Sequence, residues 1–301
     1  MSSKYDARNI HASFARGENV MDWMRKQEGT PTNSTTTILY SYDAQAGSYL
    51  ALLEDPRYAD LKAMIGQRLA PLIDQLAPAS LLDAGVGEAT TLVPVLDRLA
   101  KLPAKILGFD LSLSRLLFAQ RHLIGSGFEA TLFTGLLDRI PLANAAVDLV
   151  FTFHAIEPNH GREEAVLAEL LRVARRHLVM VEPTYELGSE ATRARIERLG
   201  YVRDLAGSCA RLGYPACRVE LFGLDVNPEN EAALIIVEKG PALVETTAPP
   251  PTYVSPISGF PLARRPDCWF CPEDGHAFPI ISGIACLTVE SGVLASKLGQ
   301  V

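Results

Sequence analysis

The chain has no long hydrophobic run, no cluster of basic residues and no cysteine before position 209. Each absence excludes a class. The longest strongly apolar stretch is about 232–237, whereas a helix that crosses a bilayer needs about 20 such residues, so no membrane partner is expected. The N-terminal MSSKYDARNIHASFARGEN is polar and lacks the apolar core of a signal peptide, and a cytoplasmic location is the expectation. Lys and Arg form no cluster beyond short pairs such as Arg175-Arg176 and Arg264-Arg265, and the net charge is −7. Such a surface does not attract phosphates, which disfavours nucleic acid as a partner. The five cysteines (Cys209, Cys217, Cys268, Cys271 and Cys286) are odd in number, which argues against a disulfide framework and fits free thiols in a reducing compartment. The 22 glycines follow no triplet period, so collagen is excluded. With 48% hydrophobic and 21% charged residues, the chain is not of the disordered type, and 301 residues suffice for one large domain or two smaller ones.

What is present falls into three parts. Residues 1–79 contain no clear strand. Residues 80–240 alternate short apolar runs with amphipathic stretches, and from 241 the composition shifts: nine of the twenty prolines fall within 241–279. The run 245–251 (ETTAPPP) reads as an extended linker. Within the middle part, strands are expected at 80–84, 105–110, 130–134, 147–153, 177–182, 218–224 and 232–238. Helices are expected at 88–101, from the N-cap Ser112 to 124, at 162–175 and at 189–199. Strands alternating with helices predict a parallel sheet covered on both faces.

The segment Leu81-Leu82-Asp83-Ala84-Gly85-Val86-Gly87-Glu88 carries the chemistry. It is an apolar strand, an acid, a G-x-G turn and a helix start. The glycines allow a sharp turn and close approach of a ligand to the backbone. Asp110 ends the next strand, 23 residues after Gly87, where a carboxylate can accept ribose hydroxyls beyond the carboxyl ends of the strands. A dinucleotide fingerprint would need a third glycine where Thr90 stands, and an acid before the first glycine suits a cationic cofactor better than a pyrophosphate.

This pattern resembles the class I S-adenosylmethionine-dependent methyltransferases, whose first motif is an acid-x-G-x-G turn, over about residues 40–239. The resemblance implies an α/β, Rossmann-like seven-stranded sheet whose terminal strand is antiparallel, and S-adenosylmethionine as cofactor. It places Asp83, Ala84, Gly85 and Gly87 by the methionine part and Asp110 and Leu111 at the ribose. After the third strand, Gly135-Leu136-Leu137 replaces the family's frequent Gly-Asp-Ala, so a backbone N–H or Asp138 would stand in. Ile140-Pro141-Leu142 running into Val147-Asp148-Leu149-Val150 matches the family's approach to strand four. Tyr42 and Tyr49, in a YD…A…Y stretch, resemble lid residues that close over cofactor and acceptor, and residues 28–37 would be mobile. The plain structural reading of that stretch is a docking helix.

Two turns at the same sheet edge complete the expected site. Phe153-His154-Ala155-Ile156-Glu157-Pro158-Asn159-His160 follows strand four, and Glu182-Pro183-Thr184-Tyr185-Glu186 follows strand five. Phe153 is assigned to the cofactor. His154, with Glu157, is the candidate base, because its ordinary pKa suits proton abstraction at neutral pH. Asn159, Glu182, Tyr185 and Glu186, with Tyr49, are the expected acceptor contacts. The combination resembles a bacterial methyltransferase subgroup with EPN and EP-x-YE turns. Residues 253–287 resemble the zinc-ribbon domain of methyltransferase activators. Serines 255 and 258 stand at its first knuckle, and Cys271-Pro272-Glu273-Asp274 at the second. Cys268, Cys271, His276 and Cys286 offer metal-ligand chemistry, but serine is a poor zinc ligand, so no metal is expected and the ribbon is a packing or dimerisation module, with a homodimer as one expected assembly. The functional expectation is a methyl transfer to O or N of a small polar acceptor, a sugar or secondary metabolite. The alternatives are an RNA or protein methyltransferase, or a non-catalytic S-adenosylmethionine-binding scaffold.

Overall fold

The computed structural model describes residues 6–225, 227–240 and 252–300. The expected linker 245–251 lies outside the described residues. The N-terminal part is helical throughout: α1 (Ala7–Ala15), α2 (Val20–Glu28), α3 (Thr35–Ala44), α4 (Ser48–Leu52) and the long α5 (Pro56–Leu76). Their starts are written in the sequence. Asp6, Asn19, Ser34 and Asp55 each cap a helix by accepting a backbone N–H, and Pro56 takes the first turn of α5.

The core then alternates strand and helix: β1 (Ser80–Ala84), α6 (Leu92–Leu96), β2 (Lys105–Asp110), α7 (Leu113–Gly125), β3 (Thr131–Thr134), β4 (Val147–Phe153), α8 (Glu163–Val173), β5 (Ala174–Pro183), α9 (Glu190–Leu199), α10 (Leu205–Arg211), β6 (Arg218–Leu221) and β7 (Ala232–Glu238). These strands lie in the order β3-β2-β1-β4-β5-β7-β6. The first five are parallel, and β7 runs antiparallel to both β5 and β6. The expected seven-stranded sheet is therefore present. Its strands are apolar on both faces because both faces are covered. Leu81, Leu149, Phe151 and Val179 face α5, α6 and α7, while Leu82, Leu107, Val150 and Met180 face α8 and α10. At the lower edge Asp148 accepts from the backbone N–H groups of Ala79 and Ser80 and pairs with Arg175, which pins β1 to β4.

Two expected boundaries shift. The helix expected at 88–101 shrinks to Leu92–Leu96, because Gly85, Gly87 and Ala89 all take positive φ (84°, 55° and 61°) and hold the chain in an irregular turn. The helix expected to reach 175 stops at Val173, where the chain passes directly into β5.

After residue 252 come β8 (Ala263–Arg264), β9 (Cys268–Phe270), β10 (His276–Ile281), β11 (Ile284–Cys286) and β12 (Val293–Leu294). The ribbon does not stand apart. β11 pairs in parallel with β3, with Ala285 opposite Phe133 and Cys286 opposite Thr134. Tyr253 packs edge-on against both Phe133 and Trp269, and Phe278 and Leu287 join the same core as Phe109. The ribbon thus covers what would be an open edge of the main sheet. The turns at 255–258 and 271–274 meet. Ser255 and Ser258 donate their hydroxyls to Asp274 Oδ2, and Ser258 Oγ lies 3.8 Å from Cys271 Sγ. Burial alone would raise the Asp274 carboxyl, but these hydroxyls and the His276 N–H hold it at about 2. A hydrogen-bonded carboxylate therefore lies between the two turns. No group of three or more His, Cys, Asp or Glu among the described residues is arranged to hold a metal ion, and no described helix is long and apolar enough to cross a membrane.

Candidate active site

The carboxyl ends of β1, β2 and β4 open into one cavity of about 470 Å³, roofed by the N-terminal helices. The turn after β1 forms its floor. Gly85 and Val86 both donate to the carbonyl of Phe109 (2.8 and 2.9 Å), which folds the turn back onto β2. A Cβ at Gly85 would sit 2.4 Å from the Cβ of Ala155, so the turn and the loop after β4 touch only because residue 85 is glycine.

Asp110 is fixed from both sides. Its Oδ2 accepts from Gly87 N (3.0 Å) and its Oδ1 from Ser112 N (2.9 Å). Each oxygen keeps a lone pair for a further donor, as ribose binding requires. Asp83, at the end of β1, is buried. Burial pushes its carboxyl up to about 8, with Asp110 adding to the push and Lys62 opposing it. Burial in turn lowers Lys62 to about 8, with Asp83 opposing. The Lys62 ammonium donates to Thr91 Oγ1 (2.8 Å) and lies over the ring of Phe153 (5.0 Å). A cationic ligand beside this buried, raised carboxyl would favour its ionised form and draw out its proton.

The roof is tied to the floor. Glu88, from the turn after β1, is buried and accepts from Gly47 N (3.0 Å) and Leu50 N (2.8 Å) at the junction of α3 and α4. Ser112 donates to Asp43 (2.8 Å). The Arg115 guanidinium lies over both Tyr42 (5.1 Å) and Tyr49 (4.9 Å) and within 4 Å of Glu88 and Asp110. The expected lid tyrosines are thus both over the cavity.

The loop after β4 carries His154, the candidate base. His154 has a positive φ of 54°, a left-handed conformation that few residues with a side chain adopt. Its Nδ1 lies 3.2 Å from Glu157 Oε2 and 3.2 Å from Asn230 Nδ2. Proton donation from Nδ1 to Glu157 leaves Nε2 to act as a base. Tyr201 also hydrogen-bonds Glu157, and burial raises the Tyr201 hydroxyl well above its usual range.

Of the expected residues, Tyr42, Tyr49, Asp83, Gly85, Gly87, Asp110, Leu111, Leu136, Leu137, Phe153, His154, Glu157 and Asn159 all line this cavity, and Asp138 joins them. The amide of Asn159 is engaged by its own loop, donating to Ile156 O and accepting from Arg162. Four expectations are corrected. Ala84 packs on the opposite face of the sheet. Glu182 is fully buried beneath the loop, where it accepts from Thr152 Oγ1, Ala155 N and Ile156 N; it shapes the His154 loop rather than touching an acceptor. Tyr185 turns outward to Glu197 and Arg203. Glu186 accepts from Asp204 N on the surface. The sequence reading missed Lys62, Glu88, Arg115, Arg195, Tyr201 and Asn230, all at the cavity. Glu88 ends the motif turn itself; the other five lie on elements with no motif, and only the fold brings them in.

Residues 81–177 match the model of the methyltransferase domain family. No curated protein matches the chain. Among solved structures, magnesium protoporphyrin IX methyltransferase from Synechocystis PCC 6803, solved with bound S-adenosylhomocysteine, is 12% identical with a TM-score of 0.51 over 68% of this chain and 99% of that one. An S-adenosylmethionine-dependent methyltransferase from Aquifex aeolicus is 18% identical with a TM-score of 0.35 over 53% and 81%. The glycine cradle, the doubly anchored Asp110 with its spare lone pairs and the neutral buried acid fit S-adenosylmethionine, which supplies the methyl group when bound. The motif turn, the strand order and the match converge: residues 81–177 belong to the methyltransferase domain family, in a sheet with the strand order expected of a class I S-adenosylmethionine-dependent methyltransferase.

Proposed function

We propose that this methyltransferase acts on an oxygen or nitrogen of a small polar acceptor such as a sugar or secondary metabolite. The observation that carries this reading is the single roofed cavity, in which the Asp83–Asp110 floor and the His154–Glu157 pair share one enclosed space beneath Tyr42 and Tyr49. A roof tied down by Glu88 suits a small molecule better than an RNA or protein loop, and it excludes water from the transfer.

In this reading Asp110 holds the ribose and Gly85 and Gly87 leave room for the cofactor. Asp83 meets its cationic end, and Leu111, Leu136, Leu137, Phe153 and Tyr42 wall it in. Tyr49 borders the acceptor, and Asn159 shapes the loop beside it. His154 accepts the acceptor's proton at Nε2 while Glu157 orients the ring and stabilises the imidazolium. Positioning supplies much of the rate, since the displacement at a sulfonium expels a neutral leaving group. We place the lid in residues 1–79, the core in 80–240 and the ribbon module in 241–301.

Calorimetry with S-adenosylhomocysteine, followed by a methyl-transfer screen over hydroxyl- and amine-bearing small molecules, tests the reading. His154→Ala is expected to keep cofactor affinity and lose turnover. Turnover equal to wild type would remove His154 from the chemistry, and absence of cofactor binding would point to a structural role in place of methyl transfer.

A further inference from the structure

Five cationic side chains line the cavity: Arg25, Lys62, Arg115, Arg162 and Arg195. Four have evident countercharges. Arg25 pairs with Asp22 (3.2 Å), Arg162 with Asp138 (2.9 Å) and Arg115 with Glu88 and Asp110, while Lys62 faces Asp83. Arg195 is different. It forms no ion pair among the described residues, and its one hydrogen bond there runs from Nε to Asn230 Oδ1 (3.3 Å). Both terminal nitrogens of its guanidinium are left without a partner among the described residues. Its neighbours on α9 point elsewhere: Arg193 bonds the Tyr185 carbonyl on the surface and Arg198 is exposed.

The place of Arg195 in the cavity is informative. Asn230 accepts from Arg195 through Oδ1, and its Nδ2 donates to Glu157 Oε2 (3.5 Å) beside His154. One amide side chain therefore separates the free guanidinium from the candidate base. Glu157, the nearest acid to that amide, is already engaged by His154, Asn230 and Tyr201. A half-buried guanidinium with no ion-pair partner among the described residues, on the wall of a partly apolar cavity, calls for an oxyanion, which its planar donor fork binds in two-point fashion.

We infer that Arg195 is the specificity residue for a carboxylate on the acceptor, so that the substrate class is a small hydroxy- or amino-carboxylate whose nucleophilic atom lies only a few bonds from its carboxylate. This rests on the reading of the cavity as an acceptor site with His154 as base. Asn230 then sets the spacing: it holds the guanidinium and the imidazole in register, and a neutral acceptor would leave Arg195 desolvated and unmatched. Discrimination against neutral analogues follows from that penalty.

The test uses the full-length protein loaded with S-adenosylhomocysteine. Glycolate, glycine and 3-hydroxybenzoate are titrated beside their primary amides, with 3-hydroxyphenyl phosphate as a phosphate arm. At least one acid is expected to bind about tenfold or more tightly than its amide, the scale of a charge-assisted pair. Arg195→Gln should abolish that ratio, Arg195→Lys should keep part of it, and the affinity for S-adenosylhomocysteine should be unchanged in both. Amides that bind as well as their acids, or a ratio that survives Arg195→Gln, would overturn the inference. Preference for the phosphate arm would overturn the carboxylate assignment. Loss of S-adenosylhomocysteine affinity in Arg195→Gln would assign the residue to the cofactor instead. Failure of the wild-type protein to bind S-adenosylhomocysteine at all is the distinct result that would sink the underlying reading.

Discussion

Gly85→Ala is the sharpest probe of the floor of this site. Residue 85 has φ of +84°, and an added Cβ would lie 2.4 Å from the Cβ of Ala155, far inside ordinary carbon contact. Two costs follow. Holding an alanine in the left-handed region costs about 1 kcal/mol. Relieving the overlap forces the turn after β1 away from the loop after β4, an overpacking cost of about 1–3 kcal/mol. The sum is about 2–4 kcal/mol, read as a fall in the urea midpoint at constant slope. The turn also carries the N–H of Gly87 to Asp110, so affinity for S-adenosylhomocysteine should fall as well. The two costs separate in a double mutant. Ala155→Gly in the Gly85→Ala background removes the partner of the clash and should recover the larger share, leaving about 1 kcal/mol of backbone strain. A Gly85→Ala protein with wild-type midpoint and affinity would refute the close approach. A double mutant no better than the single would refute its assignment to Ala155.

Four further outcomes are expected. Asp83 is held up to about 8 in the folded chain, so its contribution to stability is full below the unfolded carboxyl value and is lost as pH rises through about 8; Asp83→Asn should remove that decline in urea melts between pH 5 and 9, yet weaken cofactor binding, and an unchanged slope would count against it. Calorimetry of S-adenosylmethionine binding at pH 7 in buffers of different ionisation heat should show proton release in wild type and none in Asp83→Asn. Glu88→Gln should loosen the roof by about 1.5–3 kcal/mol, the scale of a hydrogen bond to a charged group, read as faster hydrogen exchange at the Gly47 and Leu50 amides, and equal exchange would mean that Glu88 does not hold the lid. Elemental assay should find no zinc in the wild-type chain, whereas changing Ser255, Ser258 and Asp274 together to cysteine beside Cys271 should create a site for one zinc per chain; zinc in the wild type would overturn the account of the ribbon.

The serine and aspartate substitutions in the ribbon also show how far residue patterns reach. The knuckle positions were readable because each sits in a short turn with a fixed spacing. That Asp274 would gather both serine hydroxyls depends on two turns 16 residues or more apart meeting in space. The same division holds at the active site. Asp83, Gly85, Gly87 and Asp110 were legible because a strand, a tight turn and a second strand are local structures with local signatures. Glu182 was misassigned because a polar residue at a strand end looks alike in sequence whether it faces a ligand or caps the loop above it. Its three donors, Thr152, Ala155 and Ile156, are assembled only by the pairing of β4 with β5.

The sequence by itself therefore determined the alternation of strands and helices, the order of the motif turns and the identity of the cofactor class. These follow from apolar periodicity, glycine stereochemistry and the placement of acids at strand ends. Only the tertiary structure decided which side chains converge above those ends. Lys62 on α5, Arg115 on α7 and Arg195 on α9 carry no motif, and each reaches the cavity through the packing of its helix. Only the fold, too, decided that the C-terminal ribbon continues the main sheet through β11 and β3, because strand pairing at that distance along the chain is settled by buried area and edge hydrogen bonds rather than by any local residue pattern.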